Sequence, residues 1–250
     1  MMSKIPYDFD MVYDDWMVFG TIDIKKSDAI KEMFESVILK YECLDDYENN
    51  TEYNYLLQKA LAAHQKLAMM YFAEYNIHEA KSNFEGTQNM TCPVLYGVGR
   101  TQILFYVESM ILFARNALDV AATVYSKLIL ERRSDSFNDF SKRIIDANNP
   151  LLVDLKTYFE NNSNNTLHAF RLLCGSERGR TLRDIIIHQA NIKLEYFEYK
   201  ENSEKERLFL LLKDVPPIDF DAFVAGFLED IEEIFSETNA CLKKVIESNQ

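Results

Sequence analysis

The sequence predicts a mainly α chain, an antiparallel helical bundle with a small β-hairpin insert, on three observations. Only 7 Gly and 5 Pro are spread over 250 residues, too few for the many turns of a β sandwich. Apolar residues recur at three and four along most of the chain and change to a period of two only near residues 192–212. At 48% hydrophobic, the chain can bury one sizeable core, and no fixed-period repeat or low-complexity tract divides it. Residues 1–250 therefore read as a single domain.

Residues 1–26 alternate aromatic and acidic side chains without a period and are expected to form a peripheral segment packed on the body. From Ser27, a residue type that caps helix N-termini, Ile30, Met33, Phe34, Val37, Ile38 and Tyr41 share one helix face. A second helix begins near Thr51, carries Leu56, Leu57, Ala60, Leu61, Leu67, Met70 and Tyr71, and fades in the polar SNFEGTQN stretch. A loop is expected to about Gly99, with Tyr96-Gly97-Val98-Gly99-Arg100 as a turn. Residues 100–131 set Leu104, Val107, Ile111, Ala114, Leu118, Ala121, Tyr125 and Leu128 in a stripe over eight turns, the mark of a long central helix.

Shorter helices are predicted at about 135–147, at 150–160 with Pro150 in the first turn, and at 166–173, where Gly175 ends the pattern. Thr181, followed three residues later by Asp184, reads as a capping-box variant, so the next helix starts at Leu182. Beyond Asn191, Ile192, Leu194 and Tyr196 alternate, a polar ENSEKE break follows, and a second apolar run completes a hairpin over about 192–212. Pro216 and Pro217 close it. Asp219 or Asp221 then opens a last helix with Phe223, Phe227, Ile231, Ile234, Leu242 and Val245, which packs back on the bundle.

Lys+Arg 27 against Asp+Glu 40 gives a net charge of −13, which opposes nonspecific coating of a polyanion, so any nucleic-acid site must be local. The opening MMSKIPYDFDMVYDD has acidic residues where a secretory leader needs a basic region and an apolar run. The longest apolar stretch, around 103–130, is interrupted by Glu108, Arg115, Asp119 and Lys127. A cytoplasmic chain without membrane contact is expected. Cys43, Cys92, Cys174 and Cys241 are far apart and form no C-x-x-C pair, which predicts reduced core thiols and no zinc knuckle.

Several common chemistries are not signalled. The G-x-G at Gly97 and Gly99 lacks the third glycine and the strand of a dinucleotide loop, and Ser176 in GSERG is not in a G-x-S-x-G elbow. Glu74 and His78 stand at i, i+4 without the paired E-x-x-H motifs of a di-iron bundle. His64 and His168 stand alone and read as core or surface histidines, and H-E-x-x-H is absent. No metal and no cofactor is predicted.

The candidate chemistry gathers at Arg183-Asp184-Ile185-Ile186-Ile187-His188. On a helix, Asp184 and His188 lie about 40° apart on one face, so the carboxylate can hold the imidazole in one tautomer, while Arg183 lies about 140° away from His188 around the axis. Arg171, Arg178, Arg180 and Arg183 put four of ten arginines within thirteen residues, a local positive pocket beside a helix N-terminus suited to phosphate. A neutral His taking the proton of a 2′-OH, with Arg stabilising the phosphorane, would cleave RNA without a metal and leave a 2′,3′-cyclic phosphate. Read locally, the same residues are also solvated first-turn charges over core isoleucines; about 0.16 R-x4-H pairs arise by chance in a chain of this composition.

RDIIIH resembles the R-x4-6-H motif of HEPN domains, in which the residue after Arg is commonly a polar Asn, Asp or His, as Asp184 is here. The likeness extends over residues 27–248 as architecture and is specific only around the motif: a long early helix pair, then the motif near the start of a later helix. FARNALDVAATVYSKLIL, residues 113–130, is similar to the long core helix of such domains, although Arg115-Asn116 has no His in range. The resemblance implies a metal-independent endoribonuclease of a toxin–antitoxin or phage-defence system, working as a homodimer whose motifs meet across the interface, with an antitoxin or regulatory protein as a further partner. It implies Arg183 and His188 as catalytic residues with Asp184 supporting, and Arg178, Arg180 and Arg171 fall in place as phosphate-binding side chains. The length, the pI near 4.8 and the hairpin after the motif depart from the shorter members. These departures keep open a noncatalytic dimeric interaction module that binds a nucleotide or RNA.

Overall fold

A computed structural model of the chain describes residues 28–41, 49–87, 93–175, 181, 182, 186, 192–198, 206–212 and 216–248. The predicted N-terminal segment, the Ser27 cap, Cys43 and Cys92 lie outside these residues. The fold is mainly α with a small antiparallel sheet: α1 (Asp28–Tyr41), α2 (Thr51–Thr87), α3 (Pro93–Leu130), α4 (Phe137–Asp146), a 3-10 turn (Pro150–Leu152), α5 (Val153–Asn164), α6 (Ala169–Cys174), β1 (Lys193–Glu198), β2 (Glu206–Leu211), β3 (Ile218–Asp219) and α7 (Phe220–Ser248). None of the described helices is long and apolar enough to cross a membrane. Contacts group the described chain into two compact units: one of residues up to Ala68, Asn116–Thr157 and those from Phe235 on, the other of Met69–Arg115 and Tyr158–Ile234.

Local chemistry explains several element ends. Asn50 caps α2, its Oδ1 accepting the N–H groups of Glu52 at 2.9 Å and Tyr53 at 3.1 Å. Asn149 does the same for the 3-10 turn at Pro150, accepting from Leu151 at 3.0 Å. Asp219 caps α7 by accepting from Ala222 at 3.1 Å, one of the two residues named from the sequence.

α3 corrects the expected loop and turn before residue 100, because the helix already runs from Pro93. Proline is tolerated in a first turn, where its missing N–H has no intrahelical partner. Gly99 is there for space: a Cβ at this position would lie 2.6 Å from Phe84 Cδ2 and 3.3 Å from Phe84 Cβ, so α2 and α3 approach with nothing between backbone and ring. Gly99→Ala would gain up to about 1 kcal/mol of helix propensity, but overpacking against a buried ring costs about 1–3 kcal/mol. Urea unfolding is expected to show a net loss of about 1–2 kcal/mol, and the same substitution in a Phe84→Leu background to be neutral or stabilising.

In the first unit α3 is central, as its stripe predicts. Every residue from Ala121 to Ser126 is buried, so this stretch is covered on all sides. A buried polar link crosses the apolar packing: Tyr125 donates its hydroxyl to Asn239 Oδ1 at 2.8 Å, and Asn239 Nδ2 donates to the Ala29 carbonyl, tying α3, α7 and α1 together. The Tyr125 ring also stacks on Phe140 with centroids 5.9 Å apart. Asn239→Leu would leave a fully buried phenol without its acceptor, which costs about 1–3 kcal/mol. The variant is expected to unfold about 2 kcal/mol more easily in denaturant, with Tyr125→Phe recovering much of the loss in a double-mutant cycle.

The second unit holds the sheet, in the order β1-β2-β3. β1 and β2 pair in register Leu194↔Leu210 and Tyr196↔Leu208, which puts the alternating apolar positions on one face, with Leu194, Leu208 and Leu210 buried. The predicted hairpin is present and gains a third strand: Leu210 pairs with Ile218 and Phe209 with Asp219. Pro216 and Pro217 precede this strand, consistent with proline's exclusion from the paired interior. The Arg100 guanidinium on α3 donates to the Leu194 carbonyl, fastening the sheet to the helix.

Candidate functional site

The motif is reached through α6 and the segment after it. Thr181 is outside helical structure, Leu182 is helical and buried, and Ile186 is helical and half-buried. The change to helix at Leu182 is where the sequence reading of Thr181 sets it. Arg178, Arg180, Arg183, Asp184 and His188 lie outside the described residues. Arg171 is on α6, half-buried, and its guanidinium makes no hydrogen bond or ion pair among the described residues.

α6 has only six residues, too short to hold its shape alone, and it is fastened at both ends. At its C-terminus the Gly175 N–H donates to the Arg171 carbonyl at 2.9 Å, with Gly175 at φ 74°, a conformation open to glycine at little cost. The buried Arg115 guanidinium of α3 donates to the Leu173 carbonyl at 3.0 Å and to Cys174 Sγ at 3.3 Å, placing a cation at the negative end of the helix. The Arg115 that had no histidine partner in sequence therefore anchors α6. Along the body of α6, Phe170 stacks on Phe159 with centroids 4.9 Å apart and planes 11° from parallel.

At the N-terminus of α6 the cap is His168, a residue that sequence reasoning set aside. Its Nδ1 accepts the Phe170 N–H at 3.0 Å. A nitrogen that accepts carries no hydrogen, so the neutral ring bears its proton on Nε2. Nε2 lies 3.4 Å from Asp230 Oδ1 and 3.6 Å from Glu233 Oε2, near enough for charge interaction but without hydrogen-bond geometry. Asp230 Oδ2 in turn accepts the Ala169 N–H at 2.8 Å. Burial pushes the Asp230 carboxyl up from its ordinary value; the Ala169 N–H and His168 oppose this, and the like charges of Glu233 and Glu229 add to it.

Asp230 and Glu233 stand three apart on α7, one helix face, which was the only trace of this cluster in the sequence. Sixty-one positions separate Asp230 from Ala169, and nothing local connects them. Other histidines behave as read. His64 is buried in α2, where burial pushes its pKa down to about 4, and His78 forms an exposed i, i+4 pair with Glu74 at 3.1 Å. Cys174 and Cys241 are both buried, and burial pushes Cys241 up to about 11. Scans against protein-family models, curated proteins and solved structures find no match to this chain.

Proposed function

We propose that this chain is a HEPN-like, metal-independent endoribonuclease of a toxin–antitoxin or phage-defence system, cytoplasmic and homodimeric, cleaving RNA by attack of the 2′-OH. The observation that carries the reading is the R-D-I-I-I-H segment at 183–188, behind a threonine cap and four clustered arginines in an acidic chain. The mainly α fold, the change to helix between Thr181 and Leu182, and an Arg171 guanidinium with no partner among the described residues support it. In this reading His188 Nε2 or Nδ1 removes the 2′-OH proton, Asp184 holds the ring's other nitrogen, Arg183 stabilises the phosphorane, and Arg171, Arg178 and Arg180 hold neighbouring phosphates.

A net charge of −13 opposes a long polyanionic substrate and leaves one competing reading, a dimeric module that binds a nucleotide, RNA or another partner at the arginine cluster without cutting. Incubating the folded chain with labelled single-stranded RNA in chelator separates the two. The ribonuclease gives discrete fragments; a folded dimer that retains RNA on a filter but leaves it intact is the interaction module.

A further inference from the structure

We propose that His168, Asp230 and Glu233 form a binding site for a divalent first-row transition metal ion, best matched by Zn²⁺. Its residues are other than those of the R-x4-H segment, and the proposal does not rest on the ribonuclease reading.

The donors are one imidazole nitrogen and two carboxylate oxygens, all within 4.8 Å of one another. Zinc bonds of about 2.0–2.1 Å in tetrahedral geometry set neighbouring donors about 3.4 Å apart. His168 Nε2 stands 3.4 Å from Asp230 Oδ1 and 3.6 Å from Glu233 Oε2. His168 is only 6% exposed, and its Nε2 has no hydrogen-bond partner although it points at two acids. Neither carboxylate has a lysine or arginine partner among the described residues. A cation between them would remove the like-charge repulsion of Asp230 with Glu233 and Glu229.

The carboxylate side of the cluster suits a metal ligand set. The Ala169 N–H on Asp230 Oδ2 orients that carboxylate and leaves Oδ1 turned to the imidazole. The Glu233 side chain is 55% exposed, so it opens the cluster to solvent on one side, giving the ion an entry path and a position for water as fourth ligand.

Binding has a structural consequence that identifies it. The metal needs the Nε2 lone pair, so the ring proton moves from Nε2 to Nδ1, and the Phe170 N–H loses its acceptor. No proton leaves the ring. Metal binding thus replaces the side-chain cap of α6 with a coordination bond to the same residue, and in sequence α6 comes just before the arginine-rich segment.

The test is calorimetric titration of ZnCl₂ into the metal-stripped full chain, with His168→Asn, Asp230→Asn and Glu233→Gln beside it. Asparagine is a strong N-cap, so His168→Asn keeps the Phe170 acceptor and removes only Nε2. Glu233→Gln alters an exposed side chain and keeps a folded variant in the set whatever the others do. The expected result is a site on the native chain that each substitution weakens about tenfold or more, with faster hydrogen exchange at Phe170 on zinc addition and a His168 ¹⁵N spectrum that moves to the Nδ1–H form. Equal zinc affinity in native, His168→Asn and Glu233→Gln proteins overturns the proposal, and so does the absence of binding at millimolar zinc.

Discussion

His188→Ala is expected to slow RNA cleavage by about 10²–10⁴, the range that a positioned general base supplies. Arg183→Ala is expected to cost about 10²–10³, as removal of a donor aimed at developing charge does. If both side chains act on one transition state, as proposed, the double variant should lose less than the product of the single losses. In the proposed reaction His188 would need a neutral ring with a free lone pair toward the 2′-OH, and Asp184 would secure that tautomer. Asp184→Asn should therefore slow cleavage less than His188→Ala while leaving RNA retention unchanged. Single-turnover rates on labelled RNA, with circular dichroism to show intact helices, measure these effects. A His188→Ala rate within about twofold of the native rate would remove the motif from the chemistry.

His64 makes folding stability fall in mild acid. It is buried in α2, and burial lowers its pKa from 6.5 to about 4, so the folded chain keeps it neutral. Between these pH values the unfolded chain binds a proton that the folded chain refuses, and stability declines as pH falls from about 6.5 to about 4. Above 6.5 neither state binds this proton, and below about 4 both do, so the contribution is flat outside the window. The shift corresponds to about 3 kcal/mol over the window. Urea unfolding at steps between pH 7 and pH 4 measures it. His64→Leu is expected to flatten the curve by about this amount, whatever it does to stability at neutral pH; parallel curves for the two proteins would show that His64 takes up its proton in the folded state.

The helices were legible because burial on one face leaves a period in the sequence. The stripe from Val107 to Leu128 is buried as its spacing predicts, and the alternation at Ile192 and Leu194 places Leu194 against Leu210 in the sheet. The start of α3 was misread because Gly97 and Gly99 resemble a turn, whereas the reason for Gly99 is a ring on another helix, which no local pattern contains. β3 is two residues long, too short for any period. The same limit hid the anchors of α6. Arg115 and Leu173 are 58 positions apart, and His168 meets carboxylates from α7 that a lone histidine in sequence does not announce. Of the candidate segment, the change from non-helical Thr181 to helical, buried Leu182 was readable from local chemistry.

The central claim is that the 2′-OH of RNA is the nucleophile, and a matched pair of oligonucleotides tests it most directly. Once the scissile position is mapped, the RNA is compared in chelator with the same strand carrying a single 2′-deoxynucleotide there. The account predicts that the native RNA is cut to a fragment ending in a 2′,3′-cyclic phosphate and that the 2′-deoxy strand is left intact at that position. Equal cutting of both strands, or fragments that end in a 3′-hydroxyl, would contradict it.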